Sequence, residues 1–252
     1  MPKFFVTSDI HSFYKPLTKA LDEAGFDPNN KDHWLVVCGD CFDRGPDSKE
    51  VLRFIMQLER KIIVKGNHDI LLEDLCMREF AYSHDFHNGT TKTVQDLGNM
   101  GEGYPLDECC QTTWNKTARY RELLVNYFET QNYIFVHSWI PTNKVGIDAY
   151  EYKEDWRNAT AVEWDTAMWG NPFYNAQDGL NKTGKTIVFG HFHTSFMWDL
   201  TTDCGEFGEG AIFDPYFGKD YAGNGYIGID ACTAYTGKCN VIVLEDEFLE
   251  ES

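Results

Sequence analysis

Five short apolar runs in this chain each end in a residue that can bind a cation, and this pattern restricts the possible folds most. Residues 3–8 lead to Asp9-Ile10-His11, and residues 33–38 to Gly39-Asp40-Cys41-Phe42-Asp43-Arg44-Gly45. Residues 60–65 lead to Gly66-Asn67-His68-Asp69, residues 133–136 to His137, and residues 186–189 to Gly190-His191-Phe192-His193. One apolar run stopping at Gly-Asp is ordinary. In α/β sheets, however, ligands bind where the carboxyl ends of strands open into loops. Five strands delivering Asp, His, Asp, Asn, His and His to one edge imply a shared cation site.

The intervening segments fit such a sheet. Leu17, Ala20, Leu21 and Ala24 recur at helical spacing with Gly25 where a C-cap belongs, predicting a helix over 14–24. Pro46 and Asp47 open a second helix running to about residue 60, with Val51, Leu52, Ile55 and Leu58 on its apolar face. Residues 62–64 are too β-branched to prefer helix. Strand, helix, strand, helix, strand is the rhythm of a parallel sheet with crossover helices.

Beyond Asp69 the pattern changes. A helix over 70–80, a polar Gly-containing stretch over 83–103 and a helix over 117–128 predict a mainly helical insertion at about 70–130, lying over the strand edge. It would belong to a single domain spanning residues 1–252. Residues 139–181, rich in Trp and Asn, show no clear period, and their aromatic residues read as core and lid packing. Strands are expected again at 186–189, 211–213, 226–230 and 240–244, followed by a solvated acidic tail over 245–251.

The formal net charge of −18 argues against a surface for duplex nucleic acid, which needs a Lys/Arg face. No apolar run approaches the length of a membrane span, and a cytoplasmic location is expected. The eight cysteines read as reduced thiols packed as small hydrophobes, because Cys109, Cys110, Cys204, Cys232 and Cys239 lack zinc-finger spacing. Cys38 and Cys41 match C-x-x-C, but the residues between them are the Gly and Asp of the stronger motif. His33, His84 and His87 stand apart from the ligand runs and read as surface or loop residues.

Asp, Asn and His without thiolate suit a moderately hard or borderline divalent ion, manganese first, with iron or zinc as alternatives. Six or seven such groups exceed one tetrahedral site. They match two ions about 3.5–4 Å apart that share a carboxylate, and Asp40, ending a central strand, is the natural bridge. Two cations would also supply the local positive charge that an acidic protein needs to accept a phosphate. A water held between them would ionise near neutral pH and could attack phosphorus in line.

In this order, Asp9-x-His11, Gly39-Asp40-x-x-Asp43-Arg44-Gly45, Gly66-Asn67-His68-Asp69, His137 and Gly190-His191-x-His193 resemble the motifs of the calcineurin-like metallophosphoesterases. The Asp-Arg-Gly form resembles the phosphoprotein phosphatase branch, especially its compact bacterial and phage members and the symmetrical dinucleoside-tetraphosphatases. The segment Ile227-Gly228-Ile229-Asp230-Ala231 resembles that branch's last core strand. The resemblance implies a four-layer αββα sandwich, with two mixed β-sheets flanked by helices. It implies Asp9, His11 and Asp40 on a first metal, and Asp40, Asn67, His137 and His191 on a second. His193 fits the wider superfamily's Gly-His-x-His, whose second His joins the first metal; the phosphatase branch often lacks it. Arg44 would clamp the phosphate, and His68 would protonate the leaving oxygen with Asp43 orienting its ring. The branch usually has Glu where this chain has Asp69.

A second phosphate-binding Arg is common in the branch, and Arg157 is the Arg available in the corresponding region. Asn88-Gly89 and Thr93 resemble an Asn-Gly stretch of bacterial relatives, though a loop and helix cap explain them nearly as well. The implied reaction is hydrolysis of phosphate monoesters in the manner of a Ser/Thr protein phosphatase. The alternative is symmetrical cleavage of dinucleoside polyphosphates. The partner is accordingly a phosphorylated protein or a nucleotide, with neither a nucleic-acid duplex nor a membrane.

Overall fold

In the computed structural model, which describes residues 1–99, 103–147, 149–198, 202 and 205–249, the apolar runs pair into two five-stranded sheets. The chain begins β1 (Lys3–Thr7), α1 (Tyr14–Ala24), β2 (His33–Cys38), α2 (Ser48–Gln57), β3 (Lys61–Val64) and α3 (Asn67–Arg78). It continues through α4 (Ser83–Asn88), α5 (Thr90–Gly98), α6 (Leu106–Lys116) and α7 (Ala118–Arg121) to β4 (Leu124–Val125), β5 (Phe128–Glu129) and β6 (Tyr133–Phe135). A small hairpin, β7 (Thr142–Lys144) and β8 (Tyr150–Tyr152), precedes α8 (Ala161–Ala167), α9 (Pro172–Gln177) and β9 (Thr186–Phe189). The described chain closes with β10 (Tyr216–Lys219), β11 (Gly225–Gly228), α10 (Thr233–Thr236) and β12 (Ile242–Glu245).

The first sheet has the order β12-β1-β2-β3-β4, parallel except for β12. The second has the order β10-β11-β9-β6-β5, in which β6, β9 and β11 are parallel and the two outer strands antiparallel. Alternation along each strand separates three cores. Phe4, Val6, Val36, Cys38 and Val64 meet Phe135, Val188 and Ile227 between the sheets. Phe5, Leu35, Val37 and Ile63 face outward onto Leu17, Leu21, Val51, Ile55, Leu72 and Leu75. Ile134, Val136, Ile187 and Phe189 face the other way onto Trp139, Trp156, Trp164 and Phe173. The result is the expected αββα layering, with β1, β2 and β3 of one sheet and β6 and β9 of the other ending on the same side.

Several boundaries depart from the sequence expectation. The helix expected over 117–128 stops at Arg121, and β4 and β5 follow, because Leu124 and Val125 find partners in Ile63 and Val64. The polar stretch over 83–103 contains two helices, α4 and α5. The insertion does not sit over the strand edge as a whole. Val94, Leu97, Cys109, Cys110 and Tyr120 join the outer core beneath the first sheet, while the α4–α5 corner reaches Asp43 and Arg44 at the edge and Tyr120 donates to Asp69 there at 2.8 Å. Residues 211–213 form no strand; β10 starts after Pro215, which lacks the N–H a ladder requires.

The acidic tail is tied down rather than solvated through residue 248. Asp246 accepts from the Asn132 amide at 2.8 Å, and the Phe248 ring packs on Phe4 at 5.3 Å and Trp34 at 5.0 Å. Its last residues, 250–252, lie outside the described residues, as does Cys204. His33 is no loop residue: it opens β2, and its Nδ1 accepts from the Asp27 amide at 3.0 Å. Cys38, Cys41, Cys76, Cys232 and Cys239 are buried thiols outside any disulfide, and burial pushes Cys38 and Cys41 well above the ordinary thiol range.

Candidate metal centre

The chain bends sharply after β1, β2 and β9, where it delivers their polar residues. Asp9, His11, Asp40, Asp43, Arg44 and His191 all have φ between +48° and +71°. Non-glycine residues adopt this left-handed region at a cost of roughly 1–2 kcal/mol each, and such strain gathers at functional sites. Two glycines make the approach possible. A Cβ on Gly39, itself at φ +85°, would overlap the His137 ring, and one on Gly190 would overlap the Asp9 carboxylate. The strand ends of the two sheets therefore come into direct contact through their side chains.

Asp40 lies at the centre. His137 Nε2 is 3.5 Å from its Oδ1, while His11 Nε2 and His68 Nε2 lie 3.8 and 3.9 Å from its Oδ2. The first amides of α3 also face it, and His68 N donates to Oδ1 at 3.0 Å. Burial opposes the ionisation of Asp40, but the imidazoles of His137, His68, His11 and His191 hold its carboxyl below the ordinary range. Asp9 is pushed the other way, by burial and then by the nearby charges of Asp230 and Asp40. It accepts from the His191 amide at 2.9 Å.

The tautomers of two histidines follow from their partners. His11 Nδ1 donates to the Phe42 carbonyl at 2.9 Å, and His137 Nδ1 donates to the Cys38 carbonyl at 2.9 Å. Each ring is thereby fixed by a backbone acceptor, with its Nε2 lone pair facing the cleft, as metal-ligating histidines are. Burial lowers the His11 pKa, and burial with His137 alongside pushes His191 down to about 3, so both are neutral at physiological pH.

The consequence is a crowd of lone pairs. His137 Nε2 lies 2.8 Å from Asn67 Oδ1 and 3.1 Å from His191 Nδ1, and His191 Nδ1 lies 3.2 Å from the same Asn67 oxygen. With the His137 Nδ1 proton on the Cys38 carbonyl, His137 Nε2 and Asn67 Oδ1 converge on one point. A cation placed there would take both lone pairs, and the donor set of carboxylate, amide and imidazole suits one. His193 adds to the fit: its Nδ1 is buried without a hydrogen-bond partner among the described residues, and its side chain lines the same cleft.

Beside this cluster His68 and Asp43 form a dyad. His68 Nδ1 donates to Asp43 Oδ2 at 2.8 Å, and its Nε2 sits 3.4 Å from Arg44 Nη2. Burial alone would lower the His68 pKa; the charges of Asp40 and Asp43 outweigh it and raise the value above that of a free histidine. Grouping by proximity alone would set His68 with His11 and Asp40 as a third ligand. His68 differs from His11 in touching the Arg44 guanidinium. Asp9, His11, Asp40, Arg44, Asn67, His68, His191 and His193 all line one polar cleft of about 330 Å³, open to solvent on one side.

Sequence reasoning assigned no role here to five residues: Asn88, Thr90, Thr93, Asp230 and Cys232. Thr90 and Thr93 donate to the two Asp43 oxygens at 2.7 and 2.8 Å, so the insertion clamps Asp43 from the start of α5. Asn88 belongs to the same corner, its carbonyl accepting from Arg44 N at 3.1 Å. Thr93 lay in the Asn-Gly stretch already noted, but its partner is more than forty residues away in sequence and carried no local signal. Asp230 and Cys232 also line the cleft. Arg157 does not: its guanidinium makes a two-pronged contact with Glu129 at 2.6 and 2.8 Å on the second sheet. It takes no part in the cleft.

Two facing sheets, helix-covered on both outer sides and joined at their strand ends by carboxylates, imidazoles and an amide, define a metal-binding α/β sandwich. The family model of the calcineurin-like phosphoesterases matches residues 2–195, and the chain belongs to that family. The symmetrical bis(5'-nucleosyl)-tetraphosphatase of Erwinia tasmaniensis is 32% identical over 137 residues, 54% of this chain and 44% of that protein. Its namesake from Aeromonas hydrophila is 49% identical over 65 residues, 25% of this chain and 23% of the relative. The matches thus span less than half of these relatives. A metallophosphoesterase structure from Sphaerobacter thermophilus superposes with a TM-score of 0.52 at 18% identity, over 96% of this chain and 83% of that one, which shows the fold.

Proposed function

We propose that this protein is a hydrolase that cleaves dinucleoside polyphosphates with two divalent cations held around Asp40. The observation that carries the metal requirement is the convergence of His137 Nε2, Asn67 Oδ1 and His191 Nδ1 within 3.2 Å of one another beside Asp40. Asp9, His11 and Asp40, with His193, would hold one ion, and Asp40, Asn67, His137 and His191 the other. Bound there, the ions supply positive charge for the phosphate and a nucleophile near neutral pH. Manganese is the metal we expect, and the cytoplasm the location; among the described residues no helix is long and apolar enough to cross a membrane.

The chain's own groups do the rest. Arg44 points its guanidinium into the cleft beside His68 and binds the non-bridging oxygens of the phosphate. His68, kept protonated by Asp40 and Asp43, donates its Nε2 proton to the leaving oxygen. Asp43 fixes the ring from Nδ1, and Thr90 and Thr93 fix Asp43 in turn. The names of the relatives favour a dinucleotide over the phosphoprotein substrate first expected from sequence. The test sets diadenosine tetraphosphate beside a phosphopeptide panel with manganese-loaded enzyme. A higher kcat/KM for the nucleotide is expected, and preference for the peptides would return the reading to a protein phosphatase.

A further inference from the structure

We propose that the rings of Phe207, Phe213 and Tyr235 form a shelf at the mouth of the cleft, on which a base of the substrate stacks. This inference rests on the dinucleotide reading above. His193 and Cys232 both line the cleft; the aromatic cluster begins at His193, and Tyr235 follows Cys232 by one helical turn. From His193, the Phe207 and Phe213 ring centroids lie 5.7 and 6.1 Å away. Phe207 and Phe213 meet edge to face at 5.1 Å, and Phe207 and Tyr235 lie 4.5 Å apart at 64°.

Tyr235 is reached independently from the other side. The Cys232 amide donates to Asp230 at 2.7 Å, and the Tyr235 amide bonds back to the Cys232 carbonyl at 2.9 Å, fixing the first turn of α10. One wall therefore runs unbroken from the ligand cluster to solvent, where Tyr235 is 70% exposed. Core packing does not account for a tyrosine so exposed. The exposed Tyr235 ring, packed against Phe207, offers a π face that suits a nucleobase, because every base has one to match. An aliphatic phosphoserine side chain would leave it uncovered. Trp139, Trp156 and Trp164 do not serve, because they are buried in the outer core of the second sheet.

The test compares wild type, Tyr235→Ala and Tyr235→Trp, with Tyr221→Ala as a control at a fully exposed site. The ratio of kcat/KM for diadenosine tetraphosphate to that for inorganic tripolyphosphate should fall roughly 5- to 100-fold in Tyr235→Ala, mainly through KM, and recover in Tyr235→Trp. Calorimetry on the manganese-loaded enzyme gives a second readout. Wild type should bind adenosine diphosphate more tightly than inorganic diphosphate, and Tyr235→Ala should lose that difference. An unchanged ratio, or a wild type that does not distinguish the two diphosphates, overturns the shelf. A wild type that shows the binding difference but does not cleave the dinucleotide keeps the shelf and refutes the substrate reading.

Discussion

Asp40 is the residue on which the candidate site depends, since three imidazoles and an α3 amide address its two oxygens. Asp40→Asn keeps the shape and removes the charge. Turnover should fall by roughly 10³-fold or more, with fewer than two ions per chain by elemental analysis. His68→Asn should keep its metal and lose roughly 10²–10⁴-fold in kcat, most with poor leaving groups. Equal losses on good and poor leaving groups would argue against the acid role. Asp43→Asn tests the dyad by pH. Asp43 helps raise the His68 pKa, so without its charge the proton is lost at lower pH. The alkaline limb of the kcat/KM profile should then move to lower pH, and a shift upward would contradict the arrangement.

Among the elements, the short strands at the sheet margins were the least legible. β4, β5 and β10 have two to four residues each, too few to show a period, and they are strands because a neighbour is present to pair with. β1 and β2 were legible as apolar runs of five and six residues, and α1 by its helical spacing over eleven. The β5 margin also holds Arg157, which sequence placed near the phosphate and the fold places against Glu129 together with Lys185 at 2.8 Å. Burial opposes the ionisation of Glu129, but its bonds to Arg157 and Lys185 lower the pKa. A carboxylate with a depressed folded pKa contributes stability above its unfolded value of about 4.3 and loses it as pH falls through the folded value. Glu129→Gln should therefore cost about 1–2 kcal/mol at pH 7. Denaturant melts should show that difference shrinking below about pH 4.

For the whole molecule, the net charge of −18 sets the approach of substrate. The anionic substrate proposed above would meet net repulsion from a chain of this charge, which salt screens over a Debye length of about 8–10 Å. At fixed free manganese, kcat/KM for the tetraphosphate should rise as ionic strength goes from about 10 to about 150 mM. A fall would mean that local attraction at the cleft outweighs the global charge.

The sequence by itself determined which residue types stand at the strand ends. An apolar run must stop where a buried carboxylate or imidazole begins, and that boundary is written locally. It also carried the strand–helix rhythm of residues 3–64, while the four-layer arrangement was an expectation from the family resemblance. Only the tertiary structure decided what those residues touch. The His137 tautomer depends on a carbonyl at Cys38, the Asp43 carboxylate is held by threonines of another helix, and the aromatic wall joins Phe207 to Tyr235. Such contacts link positions far apart in the chain, and no local pattern encodes the register in which two sheets meet.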